Sequence, residues 1–516
     1  MHLLAVNIQR SSAIVQSVYG NFSGPRQQEV VVIKGNGIEL LRPDEHGRMV
    51  SVNYTPCFSV VRSILPFRLI GENTDYLVIG SDSGKLSIVQ YDNESNSWKR
   101  LHCETFGKTG CRRIVPGQYL ASDPKGRAIC VASIEKQRFV YVMNRDGNNK
   151  LTISSPLEAH RQETITYSCV GLDVGLANPI FAMLEMEYSE ADSDPSGVAV
   201  ADSEKKLTYY ELDLGLNHMV RKWNEPVSRT ANFLLSVPGG NDGPSGVLVC
   251  GENWISYKNQ DHAEIRTPLP RRHDMPQNRG LLIISGTLHK QKTFFFFLLQ
   301  TELGDIYKVE LDMEPSLNEQ VIGKIVSNVR VSVFDTIQPA TSLCITKTGL
   351  LFAASEQGNH ILFQFQDLGG GPDCVHANSI FDEDLGDDAI SASMVAPLFR
   401  PSPKLKSLLI CDDISALSPI VDLMVSFDQN NSDNTLHQQN HEKKIHLLCG
   451  RGNRSSLRIL RHGCSVTEFA SSDLPGKPTG IWTLKGPQQI GIIGGASDED
   501  RAAALESTYD KLIIVS

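Results

Sequence analysis

A chain of 516 residues with 41% hydrophobic content can bury a large core, and its formal charge of −10 argues against a general nucleic-acid binder, which needs basic residues to neutralise phosphate. Eleven cysteines stand singly with no Cys-x-x-Cys pair, the pattern of reduced, mostly buried thiols in a cytosolic or nuclear protein. The start MHLLAVNIQRSS is too short in its apolar part for a signal sequence, and no apolar run approaches the roughly 18 residues of a membrane helix, so a soluble chain is expected.

Taken in order, the chain shows one form again and again: an apolar run, a tight turn and a second apolar run. It stands at VVIKGNGIELL around Asn36, LVIGSDSGKLSIVQY (Leu77–Tyr91), ICVASIEKQRFVYVM around Lys136 and VAVADSEKKLTYYEL around Glu204. It returns at VLVCGENWISY around Glu252, LLQTELGDIYKVEL and LFAASEQGNHILFQF. Three of these turns, Ser81–Gly84, Thr301–Gly304 and Ser355–Gly358, read Ser/Thr–Asp/Glu–x–Gly. There a short polar side chain bonds nearby N–H groups and glycine supplies the positive φ that closes a hairpin.

Seven hairpins with centres roughly 47 to 68 residues apart predict an all-β fold, a seven-bladed β-propeller of the WD40-like kind. Helical periodicity is sparse; KLTYYEL and DIYKVEL alternate with the two-residue period of strands. Thr293–Gln300, TFFFFLLQ, reads as an inner strand covered on both faces. Three stretches rich in acids or amides, Glu187–Ser203, Asp367–Asp388 and Phe427–Lys444, are expected as solvated loops. The next turn after the seventh hairpin, Arg451–Arg454, lies about 95 residues on. The first propeller is therefore expected over residues 1–390 and the start of a second, incomplete one over 391–516. The terminal KLIIVS looks like an apolar edge strand without a partner, an aggregation hazard that suggests a truncated chain.

Near-motifs for chemistry dissolve on inspection. FGKTGCRR (Phe106–Arg113) contains Gly-Lys-Thr but lacks the upstream glycine of a phosphate loop and runs into Pro116. GSDSG (Gly80–Gly84) has Asp82 where a nucleophile elbow needs serine. His102, Cys103 and Cys111 lack zinc-site spacing, and DEDLGDD (Asp382–Asp388) is too short for a calcium loop. A propeller hydrolase or quinoprotein would need carboxylates or histidines on the strands lining its channel. The inner-strand candidates Leu77–Ile79, Val247–Val249 and Leu350–Ala353 offer none, so neither an enzyme nor a cofactor is expected. What remains is positive charge on turns: Arg112, Arg113, Arg271, Arg272, Arg451, Arg454, Arg458 and Arg461. These are solubilising charge, a surface for partner carboxylates, or contacts to RNA phosphate. Alternation after Ser456 puts Arg458 on the face opposite Leu457 and Ile459.

The blocks ETFGKTGCRRIVPGQYLASDPKGRA (Glu104–Ala128), LTISSPLEAH (Leu151–His160), YELDLGLNH (Tyr210–His218), VPGGNDGPSGVLVCGEN (Val237–Asn253) and CGRGNRSSLRILRHG (Cys449–Gly463) resemble the splicing factor 3b subunit 3 family. That family, part of the U2 small nuclear ribonucleoprotein, is related to the large subunits of the damaged-DNA-binding complex and of the cleavage and polyadenylation specificity factor. The resemblance runs from Asn7 to about Thr483. It implies a nuclear, hetero-oligomeric scaffold of three seven-bladed propellers without catalytic residues or cofactors. The first and third propellers would grip partners, namely the helical-repeat subunit and small subunits of the same complex, during branch-site recognition, with RNA association indirect or weak. Adaptors of a ubiquitin ligase or of the polyadenylation machinery are the alternatives it carries. Family members are more than twice as long, so the rest of the second propeller, the third and the helical end have no counterpart here, and Gly486–Asp510 departs from the family pattern.

Overall fold

Strands that are apolar on both sides need cover on both sides, and the fold supplies it by standing small sheets face to face. The computed structural model describes residues 9–107, 114–159, 163–260, 262–291, 294–315, 324–371, 374–381, 385–386, 388–427, 443–461, 480–484 and 512–515. Seven antiparallel sheets of four or five strands follow one another from Ser17 to Ile414. The first holds Ser17–Gly20, Glu29–Lys34, Gly37–Pro43 and Met49–Pro56; the second holds Val61–Phe67, Tyr76–Ser81, Lys85–Asp92 and Ser97–Thr105. The third, fourth, fifth, sixth and seventh open with Tyr119–Ser122, Thr164–Gly171, Phe233–Ser236, Ile283–Gln291 and Ala340–Ile345. In each sheet the opening strand lies at one edge and the chain steps outward strand by strand.

Each opening strand touches the opening strand of the next sheet, and Ala340–Ile345 touches Ser17–Gly20, so the circuit closes. The core follows the same circuit. Seven buried apolar clusters each straddle one seam between successive sheets, the last joining Ile14, Val30, Val32 and Leu41 to Cys344, Phe352, Ala354 and Leu362. Among the described residues no strand is shared across that closing seam. Polar contacts add to the apolar cluster there: Ser17 N donates to Ser342 Oγ at 3.0 Å, Thr341 Oγ1 to Ile14 O at 2.8 Å and Met49 N to Asp412 Oδ2 at 2.8 Å.

Six of the expected hairpins are the second and third strands of their sheets. The fourth is different. Val198–Asp202 is a short helix, and the strand entering the hairpin is Ile180–Glu187. Asp194 explains the helix, since its carboxylate accepts from Ala199 N at 2.8 Å and from Ser196 N at 2.8 Å. A second short helix, Ser189–Ser193, occupies the same expected loop. The phenylalanine run is a strand, Phe294–Thr301, buried from Phe295 onward.

The expected end of the first propeller at residue 390 falls within a long excursion. The chain leaves the seventh sheet after Phe365 and returns at Leu408–Ile414, which pairs with His360–Phe365 as the fourth strand. On the way, His376–Ala377 joins the sixth sheet, Ile380 bridges to Arg266, and Leu398–Phe399 runs parallel to Arg271–Arg272. The helix Ala389–Val395 is capped by Asp388, whose Oδ1 accepts from Ile390 N and Ser391 N at 2.9 Å.

The chain divides into two compact units, Met1–Ser426 with Ile445–Leu460, and Phe427–Lys444 with Arg461–Ser516. A three-stranded sheet of Ile420–Phe427, Lys443–Cys449 and Ser456–Arg461 lies mostly in the first. In the second, Leu512–Val515 pairs antiparallel with Ile481–Leu484. The terminal apolar strand therefore has a partner, which lies upstream of it and not downstream. No helix among the described residues is long and apolar enough to cross a membrane.

Candidate docking surface

The turn glycines show how closely the sheets are bound to their connections. Gly84 (φ +72°) and Gly304 (φ +89°) adopt the left-handed conformation that the turn requires, whereas Gly358 does not. A Cβ on Gly84 would lie 2.4 Å from Gly107 O, and one on Gly304 would lie 2.0 Å from Ile337 O. In both cases the intruding backbone is the segment leaving the same sheet. At Gly358 the neighbour is Arg454, its Cβ 3.2 Å away. A later part of the chain, 450–454, has taken that place.

The strands facing the centre are the opening ones, not the apolar runs Leu77–Ile79, Val247–Val249 and Leu350–Ala353, which are second strands. A central cavity of about 590 Å³ is lined by residues such as Ser17, Ser285, Thr287, Thr341 and Ser342. The described residues that line it include no histidine or carboxylate. Among the described residues no group of three or more His, Cys, Asp or Glu is placed to hold a metal ion. His102 Nε2 meets Leu151 O at 2.9 Å, and Cys103 Sγ accepts from Ser87 Oγ at 3.7 Å. His102 thus meets a strand of the third sheet and Cys103 a strand of its own sheet. GSDSG is the second sheet's hairpin turn, with Gly84 N donating to Ser81 O. Nine cysteines among the described residues are free thiols; burial pushes the Cys57 thiol up to about 11 and Cys250 up to about 12, which favours the protonated form of these two.

The structure separates the sequence-predicted arginines into three groups. Arg112 and Arg113 lie outside the described residues. Arg271 and Arg272 fasten the connection from the fifth sheet to the sixth. Arg271 is only 2% exposed and donates to Asn253 Oδ1 at 3.0 Å, Pro276 O at 3.0 Å and Arg279 O at 2.7 Å; burial lowers its pKa. Arg272 grips Asp305 with two bonds of 2.7 and 2.9 Å and Leu303 O at 2.9 Å, and its ion pair raises its pKa. A fork matched to a carboxylate in this way is a strong structural contact.

The third group lies beside the seventh sheet's hairpin. Arg458 donates to Ser456 Oγ, Ser415 Oγ and Asn359 Oδ1, each at 3.0 Å. Asn359 Oδ1 also accepts from Ala416 N, and Arg451 N donates to Gln357 O at 2.8 Å. Arg454 Nη1 stands 3.9 Å from Asp413. Arg454 and Arg458 therefore bind one part of the chain to another, while the Arg451 and Arg461 side chains are exposed. Alternation along Ser456–Arg461 holds, but it is the apolar side that faces outward: Leu457 is 63% exposed and Ile459 46%. Val421, Leu423 and Met424 on Ile420–Phe427, the opposite edge strand of the same sheet, are as open. The alternation in SSLRILR placed Leu457 and Ile459 opposite Arg458, but it did not tell which of the two faces is the open one.

A closed circuit of small antiparallel sheets, joined by seven apolar seams around a central cavity, is a β-propeller. The family model described as "RSE1/DDB1/CPSF1 first beta-propeller" matches residues 13–414, ending where Leu408–Ile414 completes the seventh sheet. The chain belongs to this family. It is 49% identical over 485 residues to "Spliceosome-associated protein 130 A" of Arabidopsis thaliana, with 94% of this chain and 38% of the relative aligned. It is 47% identical over 490 residues to "Splicing factor 3B subunit 3" of Drosophila melanogaster, covering 94% and 38%. Against "Pre-mRNA-splicing factor RSE1" of Mycosarcoma maydis the identity is 45% over 502 residues, covering 95% and 39%. The chain thus spans less than two-fifths of the length of these relatives.

Proposed function

We propose that the chain serves as a non-enzymatic scaffold in a splicing factor 3b-type complex of the nucleus, holding partner proteins while the branch site is recognised. The observation that carries this reading is near-complete alignment, 94% of the chain, with proteins named as splicing factors. The geometry supports it: seven sheets, which we read as seven blades, form a stiff surface whose rim loops are free to vary. The partners are the helical-repeat subunit and the small subunits of that complex, with RNA contacted weakly or indirectly. We place the end of the first propeller after Ile414 and read the sheet Ile420–Arg461 as the start of a second. Its open apolar residues would then be covered by further strands. Arg451 and Arg461 are the arginines we assign to partner contacts.

The test is recovery of a tagged chain from nuclear extract, with bound proteins identified by mass spectrometry and bound RNA by hybridisation. Co-recovery of splicing factor 3b subunits and U2 RNA is expected. Recovery of a cullin or of polyadenylation factors in their place would replace this reading with that of an adaptor for those machineries.

A further inference from the structure

Two stretches noted in the sequence for their acidity have no place in the scaffold reading above. Residues 187–204 contain Glu187, Glu190, Asp192, Asp194, Asp202 and Glu204 and no lysine or arginine; residues 367–388 contain seven acidic residues and again no lysine or arginine. The fold brings the two together. Ala201, Asp202 and Ser203 from the first and Ile380 and Phe381 from the second line one cleft of about 820 Å³. Its other walls are Pro226 and Val227 at the end of the fourth sheet's last strand and one face of the fifth sheet. On that face Val249, Ser256 and Arg266 stand side by side in register.

Each acidic stretch is fixed to the cleft by one arginine. Arg229 donates to Ala201 O and to Val200 O, the latter at 2.8 Å. Arg266 donates to Leu385 O at 3.1 Å and Gly386 O at 3.2 Å, and its guanidinium lies 3.7 Å from the centre of the Trp254 ring. The third cation, Lys258, is held by Glu264 at 2.7 Å and Glu225 at 3.6 Å. All three positive groups are thus engaged within the chain. Asp202, Glu204 and Glu252, which also line the cleft, have no ion pair among the described residues. Phe381 stands 72% exposed at the edge, an aromatic side chain of the kind that anchors interfaces.

We propose that this cleft between the fourth and fifth sheets docks an extended, lysine- or arginine-rich segment of a partner protein. An apolar side chain of that segment packs between Phe381 and Val227, and its cations meet Asp202, Glu204 and Glu252. The size suits a short peptide, and three carboxylates without an ion pair among the described residues favour a basic one.

The probes are three labelled twelve-residue peptides added to the full chain in low salt and read by fluorescence anisotropy: three repeats of Gly-Arg-Leu-Lys, of Gly-Arg-Ser-Lys, and of Gly-Glu-Leu-Asp. The first should bind and the acidic one should not. Replacing Asp202→Asn, Glu204→Gln and Glu252→Gln together should weaken the first peptide about five- to tenfold, the loss of three exposed ion pairs. Phe381→Ser should reduce its advantage over the serine-containing peptide. Hydrogen exchange should show new protection at Trp254–Lys258 in the complex. Equal binding by the triple variant and the natural chain, when both melt at the same temperature, overturns the proposal. So does equal binding of the acidic peptide, or protection that appears elsewhere and not at the fifth sheet.

Discussion

Two glycines with nearly the same backbone conformation separate conformational strain from close approach. Gly304 (φ +89°) and Gly349 (φ +83°) each end a turn, with their N–H groups bonded to Thr301 O at 2.9 Å and Thr346 O at 3.2 Å. A Cβ on Gly349 would meet nothing within 4 Å, whereas one on Gly304 would fall 2.0 Å from Ile337 O. Gly349→Ala therefore costs only the left-handed conformation, about 1–2 kcal/mol. Gly304→Ala carries the same strain and must also displace the backbone at Ile337. That movement breaks the bond from Ile337 N to Gly304 O at 3.0 Å and disturbs the one from Glu356 N to Pro339 O at 3.1 Å, each worth about 1 kcal/mol. Ile337 belongs to the apolar seam between the sixth and seventh sheets, so packing is lost as well. The total is about 3–5 kcal/mol. Urea unfolding of both variants, followed by circular dichroism, should separate them by at least about 2 kcal/mol. A separation below about 0.5 kcal/mol would refute the account of the turn as a place where two backbones meet.

Other outcomes follow from the same geometry. Arg138 and Glu185 form a buried pair at 2.5 Å across the seam between the third and fourth sheets, both side chains 3% exposed. Arg138→Ala should cost about 3–5 kcal/mol, and Arg138→Met with Glu185→Leu should cost less than Arg138→Ala alone in a melting comparison. Ser342→Ala at the closing seam strips Ser17 N and Oγ of their partner; a loss of about 1–3 kcal/mol is expected, and a neutral result in urea unfolding would remove this contact from the closure. His360 Nε2 donates to Ser12 O at 2.8 Å while its Nδ1 is buried without a partner, which is the neutral ring. Burial lowers its pKa below the usual 6.5, with the Lys34 charge adding to the effect. The unfolded chain then binds the proton more readily, so this contribution is complete above pH 6.5 and declines as pH falls below it. Melting at pH 7.5 and 5.5 should show a smaller pH effect in His360→Gln than in the natural chain.

The sequence was most readable where strands are covered on both sides. Val30–Ile33 and Leu77–Val78 have almost no exposed surface, and continuous apolar runs of this kind stand out. The opening strands do not. Ser17–Gly20, Tyr119–Ser122 and Phe233–Ser236 have only four residues each, and with one edge at the centre they admit serine and threonine and lose the apolar signal. That is why second strands were mistaken for the channel lining. The entry to the fourth hairpin misled for another reason, because VAVAD is as compatible with a capped helical turn as with a strand, and only Asp194 decides. The fourth strand of the seventh sheet was hidden by the excursion 366–407, since strand pairing across some forty intervening residues leaves no local pattern.

The arginines show what such a reading lacks. Their type and position on turns were correct cues for strong polar contacts, but whether the partner carboxylate lies on another protein or on the same chain depends on long-range proximity. Arg272 and Asp305 are 33 residues apart, and Arg458 and Asn359 are 99 apart. The acidic stretches present the opposite case. Their composition marked them as solvated loops, and their convergence on one cleft depends on the fourth and fifth sheets being neighbours in the ring, with the excursion from the seventh reaching back to the fifth. A propeller makes such meetings routine, because insertions far apart in sequence emerge from adjacent sectors of the circuit. Binding surfaces in this fold should therefore be sought where two insertions meet, and charge on a single turn is a weaker guide.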